Sequence, residues 1–244
     1  MMRRRLRFLL LALLGGLVAV ACSGGDAEEV LDGPLLDADA ATLQPAIAEA
    51  MGAVTSVRFE VERSEAPVFI DQVESIALNT ILGTFEVPGS ANAILQVTVN
   101  DALNTELGAI AIDDEVWLTN PVTGQFETLP PGFDIDPSLF FDPVNGWQPL
   151  IEDLTDATFV AEEQRNGATR YHLTGTAPAE RMQSITAGLV RGQEVDLDMW
   201  VHPVTGEVSE LEFSTVFDGA QSDWLITLTE YGEDFNISPP DIDG

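Results

Sequence analysis

Apolar positions along this chain follow two periods, and the switch between them marks its elements. Leu43, Ile47, Met51 and Val54 recur at helical spacing among alanines. Side chains three and four apart share one face of a helix, so this spacing predicts an amphipathic helix over 42–54. Asp39 or Thr42 can cap it, and Pro45 is then expected near the first turn, where a missing N–H costs least. After Thr55-Ser56 the period drops to two. Val57, Phe59 and Val61 alternate with Arg58, Glu60 and Glu62, the pattern of a half-buried strand. Residues 66–80 show no clean period, and 81–87 read as a strand stopped by Pro88-Gly89. Leu95, Val97 and Val99 mark the next strand, and 107–112 and 116–119 two short ones around a turn at Asp113-Asp114-Glu115. Pro121-Val122-Thr123-Gly124 turns the chain back at Gln125-Phe126.

The middle of the chain breaks both periods. Residues 129–149 carry five prolines and four aromatics, Phe133, Phe140, Phe141 and Trp147. Proline at that density excludes a long regular element, leaving short helical pieces at 137–141 and 147–154. Apolar bulk in such a segment is expected to cover something rather than stand in water. Strands resume at 158–163, and Asn166-Gly167 joins them to 169–174 as a hairpin. Residues 176–180 read as a helix start, with Met182, Ile185 and Leu189 as the stripe of a second helix over 178–190. Three long alternating runs follow, around Val195, Leu197, Met199 and Val201, then Leu211 and Phe213, then Trp224, Ile226 and Leu228. A Trp followed by Pro-Val-Thr-Gly occurs twice, from Trp117 and from Trp200, with spacings that differ by one residue. That predicts two similar hairpins rather than a duplication.

Strands in sequence joined by tight turns pair antiparallel. The expected fold class is therefore α+β, a single antiparallel sheet of about ten strands. A sheet that wide curls, and two helices and an aromatic loop are available for its concave side. Nothing marks a boundary between two domains.

The start of the chain adds a destination. Arg3, Arg4, Arg5 and Arg7 precede an uncharged run over 8–21, and Val18-Ala19-Val20-Ala21 leads into Cys22. A basic head, a short apolar run and small residues before a cut form an export signal, here 1–21. The run is too short for an ordinary membrane span, which needs ~20 residues. Cys22 is the only cysteine, so it has no partner for an internal disulfide. Its setting resembles the lipobox of bacterial lipoproteins, with Ala19 in place of the usual Leu, and implies a covalent diacylglycerol on Cys22. Residues 22–37 then form a lipidated tether, 38–236 the folded domain and 237–244 an acidic tail, on the outer face of the cytoplasmic membrane.

Charge narrows the partners. From Cys22 onward the chain keeps six arginines and no lysine against 41 acidic residues, a formal charge of −35. Such a surface does not attract nucleic acid or a bare anionic membrane. No Gly-x-Ser-x-Gly elbow, His-Glu-x-x-His or glycine-rich phosphate loop occurs. The two histidines, His172 and His202, sit on strands beside polar residues and read as surface or hydrogen-bonded groups. Asp113-Asp114 and Asp134/Asp136 have the make-up of acid–base or metal pairs, but in so acidic a chain such pairs arise freely. No cofactor or metal is expected.

Several short pieces together resemble a known family. They are Ser56-Val57-Arg58-Phe59, Gly83-Thr84-Phe85-Glu86-Val87-Pro88, Glu115-Val116-Trp117-Leu118 and Asp142-Pro143-Val144-Asn145-Gly146-Trp147. In the later half come Arg170-Tyr171-His172-Leu173-Thr174-Gly175 and Met199-Trp200-Val201-His202-Pro203-Val204-Thr205-Gly206. In this order they resemble the LppX/LprAFG lipoprotein family, which includes LprG and whose fold is similar to LolA and LolB. The resemblance implies a half-barrel with helices across its concave face and an apolar cavity between them. Members are associated with carrying acylated lipids or glycolipids, so the implied partners are such a lipid, the membrane through Cys22, and an envelope transporter. The expected lining is Ile47, Met51, Phe59, Val61, Leu95, Val97, Phe140, Met182, Ile185, Leu197, Met199, Phe213 and Ile226, with 129–149 as a moving lid. From the residues alone these apolar faces fit a dry core equally well. A non-transporting scaffold or sensor with a filled core is the alternative, and a hydrolase using acidic residues a weaker third.

Overall fold

A computed structural model describes residues 31–112, 115–129, 142, 144–186 and 188–240. The elements run α1 (Ala40–Gly52), β1 (Ser56–Glu65), β2 (Val68–Phe69), β3 (Ile76–Glu86), β4 (Ser90–Val99), β5 (Leu103–Ile112), β6 (Glu115–Thr119) and β7 (Phe126–Thr128). They continue with α2 (Trp147–Glu152), β8 (Thr155–Arg165), β9 (Ala168–Ala177), α3 (Ala179–Ile185), β10 (Val195–Val201), β11 (Val208–Phe217) and β12 (Ala220–Thr229). All twelve strands form one sheet, in the order β7-β6-β5-β4-β3-β1-β12-β11-β10-β9-β8, with β2 lapped onto β3. Every pairing is antiparallel.

The order exposes a simple plan. β3 to β7 make one meander and β8 to β12 another, and β1 joins them by pairing with both β3 and β12. The sheet is open, and its outer strands β7 and β8 are consecutive in the chain. The connection that carries α2 therefore links the two outer edges.

Local chemistry explains where the elements begin and end. Asp39 caps α1, its carboxylate accepting from the Ala41 N–H at 3.0 Å. Pro45 falls in the second turn rather than near the first, since the helix starts at Ala40. Gln44 reaches from α1 to the end of α2 and donates to the carbonyls of Ile151 (2.7 Å) and Leu154 (3.1 Å), tying the two helices together. The second long helix, expected to reach 190, stops at Ile185. There the Thr186 hydroxyl donates to the Met182 carbonyl at 2.6 Å and accepts from the Val190 N–H at 3.0 Å. Gly188, at φ +82°, completes the turn, and Leu189 leaves the helical stripe.

β3 begins five residues before the expected 81, because a bulge between Leu78 and Thr80 shifts its alternation and hides the period. Two bulges disguise β8 in the same way. Asn166 (φ +52°) and Gly167 (φ +80°) form the expected hairpin turn between β8 and β9.

One row of paired residues runs across nine strands: Leu107, Leu95, Ile81, Val61, Ile226, Leu211, Met199, Leu173 and Phe159. All lie on one face, and all but the half-buried Phe159 are buried members of the core. The helices supply the other side, through Leu43, Ile47 and Met51 of α1, Trp147, Leu150 and Ile151 of α2, and Met182 and Ile185 of α3. Among the described residues no helix is long and apolar enough to cross a membrane.

Candidate functional site

The apolar inner face is the surface the sequence singles out. Twelve of its thirteen expected lining residues are described, and all twelve are buried in one cluster. Phe59 and Val61 stand on β1, Leu95 and Val97 on β4, Leu197 and Met199 on β10, Phe213 on β11 and Ile226 on β12. Ile47 and Met51 face them from α1, and Met182 and Ile185 from α3. Phe140 and Cys22 lie outside the described residues, as do Asp113, Asp114, Asp134 and Asp136. Of the 129–149 segment, the last part is packed: Asp142 accepts from the N–H groups of Val144 (3.0 Å) and Asn145 (2.7 Å), and Trp147 is buried.

The two meanders furnish this face differently. On the second, Leu173, Leu197, Met199, Leu211, Phe213 and Trp224 project large side chains beneath the helices. On the first, the rows beside Leu95 and Leu107 carry Ala91 and Ala93 on β4, paired with Ala111 and Ala109 on β5. Ala93, Ala109 and Val116 are only half-buried. Alanine has no side chain beyond Cβ, so this part of the face carries smaller apolar groups than the second meander, with Ala91 and Ala111 themselves buried. The alternation Ala91, Ala93, Leu95, Val97 shows in the sequence, but sequence reasoning picked only its large members. It also missed Phe85, Leu150 and Leu173, buried in the same cluster as Trp147 of the aromatic segment.

Among the pockets bordered by described residues, three adjoin the helices or the ends of the strands. A groove of about 560 Å³ between α1 and α2 is lined by polar groups such as Gln44, Glu49, Gln148 and Glu152. A pocket of about 240 Å³ lies by Met51, Val54, Val87, Pro88 and Trp147. A second pocket of about 240 Å³ lies at the far ends of the strands, between the β2 segment and residues 188–193. Val68, Phe69, Leu189, Phe217 and Trp224 are among its walls. At its lip, burial works against the Asp71 charge. Hydrogen bonds from the Ser75 hydroxyl and the Ile76 and Ser75 N–H groups outweigh it and hold the carboxyl below its usual range.

Leu36, ahead of α1, is held by the fold. Leu36 donates its N–H to the Pro203 carbonyl at 2.8 Å, and the Tyr171 hydroxyl donates to the Leu36 carbonyl at 3.3 Å. Burial pushes the Tyr171 hydroxyl above its ordinary value. Burial pushes Tyr231 up much further, and its hydroxyl donates to the Val208 carbonyl beside Met51 of α1.

Titratable groups gather instead on the outer face of the second meander. His172 stacks on Trp200 at 4.6 Å, and the Arg165 guanidinium covers the other part of that indole at 4.0 Å. The ring nitrogens of His172 meet Glu163 at 3.1 Å and Asp198 at 2.7 Å, and Arg165 pairs with Glu210 and Glu212. Each polar group there is matched by another, which suits a clasp across β8 to β11 rather than a reaction centre. His202 is hydrogen-bonded in a turn, accepting through Nδ1 from the Val204 N–H at 3.2 Å and the Thr205 N–H at 3.1 Å. Among the described residues no group of three or more His, Cys, Asp or Glu is placed to hold a metal ion.

Comparison with known proteins bears on this architecture. The model of the LppX_LprAFG lipoprotein family matches residues 39–237. The fold is similar to LprF from Mycobacterium bovis, with a TM-score of 0.61 and 15% identity over 85% of this chain and 99% of that one. It is also similar to the Mycobacterium tuberculosis lipoprotein LppX, with a TM-score of 0.56 and 15% identity over 80% of this chain and 98% of that one. At that identity the likeness speaks for the fold alone. No curated protein matches the chain.

Proposed function

We propose a function from the premise that this chain belongs to the LppX_LprAFG lipoprotein family. It is an exported lipoprotein, anchored through a diacylglycerol on Cys22 to the outer face of the cytoplasmic membrane. Its folded part, within 38–236, holds an acylated lipid or glycolipid against the inner face of the sheet and carries or presents it in the envelope. A carrier of this kind needs no catalytic group. It needs apolar area, since each methylene kept from water contributes ~0.8 kcal/mol.

The observation that carries this reading is the uneven inner face. Large side chains meet helices on the second meander, while Ala91, Ala93, Ala109 and Ala111 stand on the first. An apolar face furnished with small residues suits a chain-like guest. The alternative of a scaffold or sensor with a filled core draws on a different observation. The twelve described lining residues are all 0–5% exposed, as in a dry core.

Native mass spectrometry on the purified protein, followed by solvent extraction, decides between them. A reproducible bound mass of acylated lipid is expected. A protein that is lipid-free and also refuses added lipid would leave the filled core standing. An envelope transporter is the partner to seek if lipid is found.

A further inference from the structure

We propose that the pocket between β2 and residues 188–193 is the mouth through which a single acyl chain of an amphiphile enters the apolar interior. The inference rests on the lipid reading above and adds where and how the ligand passes.

Its walls run from solvent to core along apolar surface. Phe217, at the tip of the β11–β12 hairpin, is 66% exposed, and Val73 beside the pocket is 80% exposed. Deeper in, Ile70, Val190 and Trp224 line the same pocket and are buried members of the core cluster. Charged groups stand at the lip, Asp71 and Glu74 on one wall and Arg191 on the other. An apolar throat below a polar lip fits an amphiphile with its chain inside and its headgroup in water.

Size restricts what enters. The volume is about 240 Å³. Pockets that hold a whole ligand span ~300–1,000 Å³, so this one admits a chain and not an entire lipid. The walls are also the kind that open at low cost. β2 is two residues long and pairs with β3 through Val68 and Phe69. The opposite wall has no regular element and turns on Gly188 and Gly192, at φ +82° and +67°. Segments with so little ladder structure open locally far more readily than central strands. The groove between α1 and α2 is larger but polar, and water suits it better than a chain. The pocket at Val87 and Pro88 is of equal volume and is the competing mouth.

The test follows transfer of a pyrene-acyl phosphatidylcholine from phosphatidylcholine vesicles to the full-length protein. Zwitterionic vesicles avoid repulsion by the acidic surface. Phe217→Asp is expected to slow loading about tenfold, because a charge replaces an apolar lip. Its thermal midpoint and its final loading from detergent stay at the wild-type level. Leu189→Trp, narrowing the throat, slows loading as well; if it also lowers the thermal midpoint, Phe217→Asp decides alone. Val87→Asp loads at the wild-type rate. Wild-type loading by Phe217→Asp would overturn the proposal, and slow loading by Val87→Asp would then move the mouth to the other end. A wild-type protein that takes up no pyrene lipid from vesicles or detergent sinks the lipid reading itself, and the mouth with it.

Discussion

Residues 120–125 and 202–207 build the same loop twice, once in each meander, and the two copies differ in their surroundings. In both, the first residue donates its N–H across the loop, Asn120 to Gln125 at 2.9 Å and His202 to Glu207 at 2.8 Å. In both, the side chain of that residue accepts from the following Val and Thr N–H groups. Gly124 and Gly206 close the turns at φ +71° and +77°. Yet Val122 is 90% exposed, and a Cβ on Gly124 would meet nothing within 4 Å. A Cβ on Gly206 would stand 3.3–3.4 Å from Ala50, the Ala46 carbonyl and Leu36, and the Pro203 carbonyl holds the Leu36 N–H. One copy is a free tip; the other is the seat on which α1 and the incoming chain rest. The difference teaches that Pro-Val-Thr-Gly specifies a turn, and that the neighbouring elements give the turn its role.

The same contrast separates the meanders as wholes, and the largest expected effect tests it there. Leu211→Ala, beneath the helices of the second meander, should cost ~2–5 kcal/mol in urea denaturation. Ala109→Leu, on the small-residue part of the first, should cost well under ~1 kcal/mol and reduce bound lipid. An Ala109→Leu penalty of ~1–3 kcal/mol, the usual cost of overpacking, would mean that both meanders are equally filled. Next in size is the pair of loop glycines. Gly124→Ala should lose ~1 kcal/mol from left-handed strain alone, and Gly206→Ala ~2–3 kcal/mol, because crowding adds to strain. Equal midpoint shifts would erase the distinction between the loops.

Leu36→Ala comes third, at ~1 kcal/mol for a half-buried leucine, against a near-zero effect for Val122→Ala. The smallest effect is in pH. Hydrogen bonds from Trp200 and then His172 hold the Glu163 carboxyl below its ordinary 4.5. A depressed carboxyl stabilises fully above its unfolded value and loses that contribution as pH falls through its lower folded value. The contribution of Glu163 to the clasp should therefore be lost below about pH 4.5, and Glu163→Gln should flatten that part of the stability profile. An unchanged acid limb in Glu163→Gln would remove Glu163 from the account.

Much of this fold was legible because its strands are long and alternate cleanly. β1, β10 and β12 announce themselves through Val57-Phe59-Val61, Leu197-Met199 and Trp224-Ile226-Leu228. The pattern hides parts of β3 and β8 because each is bulged, and a bulge inserts one residue and reverses the alternation beyond it. Leu189 keeps the helical spacing that predicts a helix over 178–190, although Thr186 and Gly188 end the helix first. For the candidate site, the large residues were found and the small ones passed over. An alanine says nothing by itself about the space it leaves.

The sequence by itself determined the order of the strands along the chain, the faces of most of them and the two repeated turns. These rest on local rules of period, turn chemistry and composition, which act within about ten residues. Only the tertiary structure decided that β1 joins two meanders and that one Pro-Val-Thr-Gly turn packs its glycine against α1 while nothing stands within 4 Å of its twin's. It alone set Ala91 and Ala93 against Ala111 and Ala109 on one inner face. Those facts depend on pairings between distant segments, and a pairing register is a property of two stretches of chain that neither stretch encodes alone.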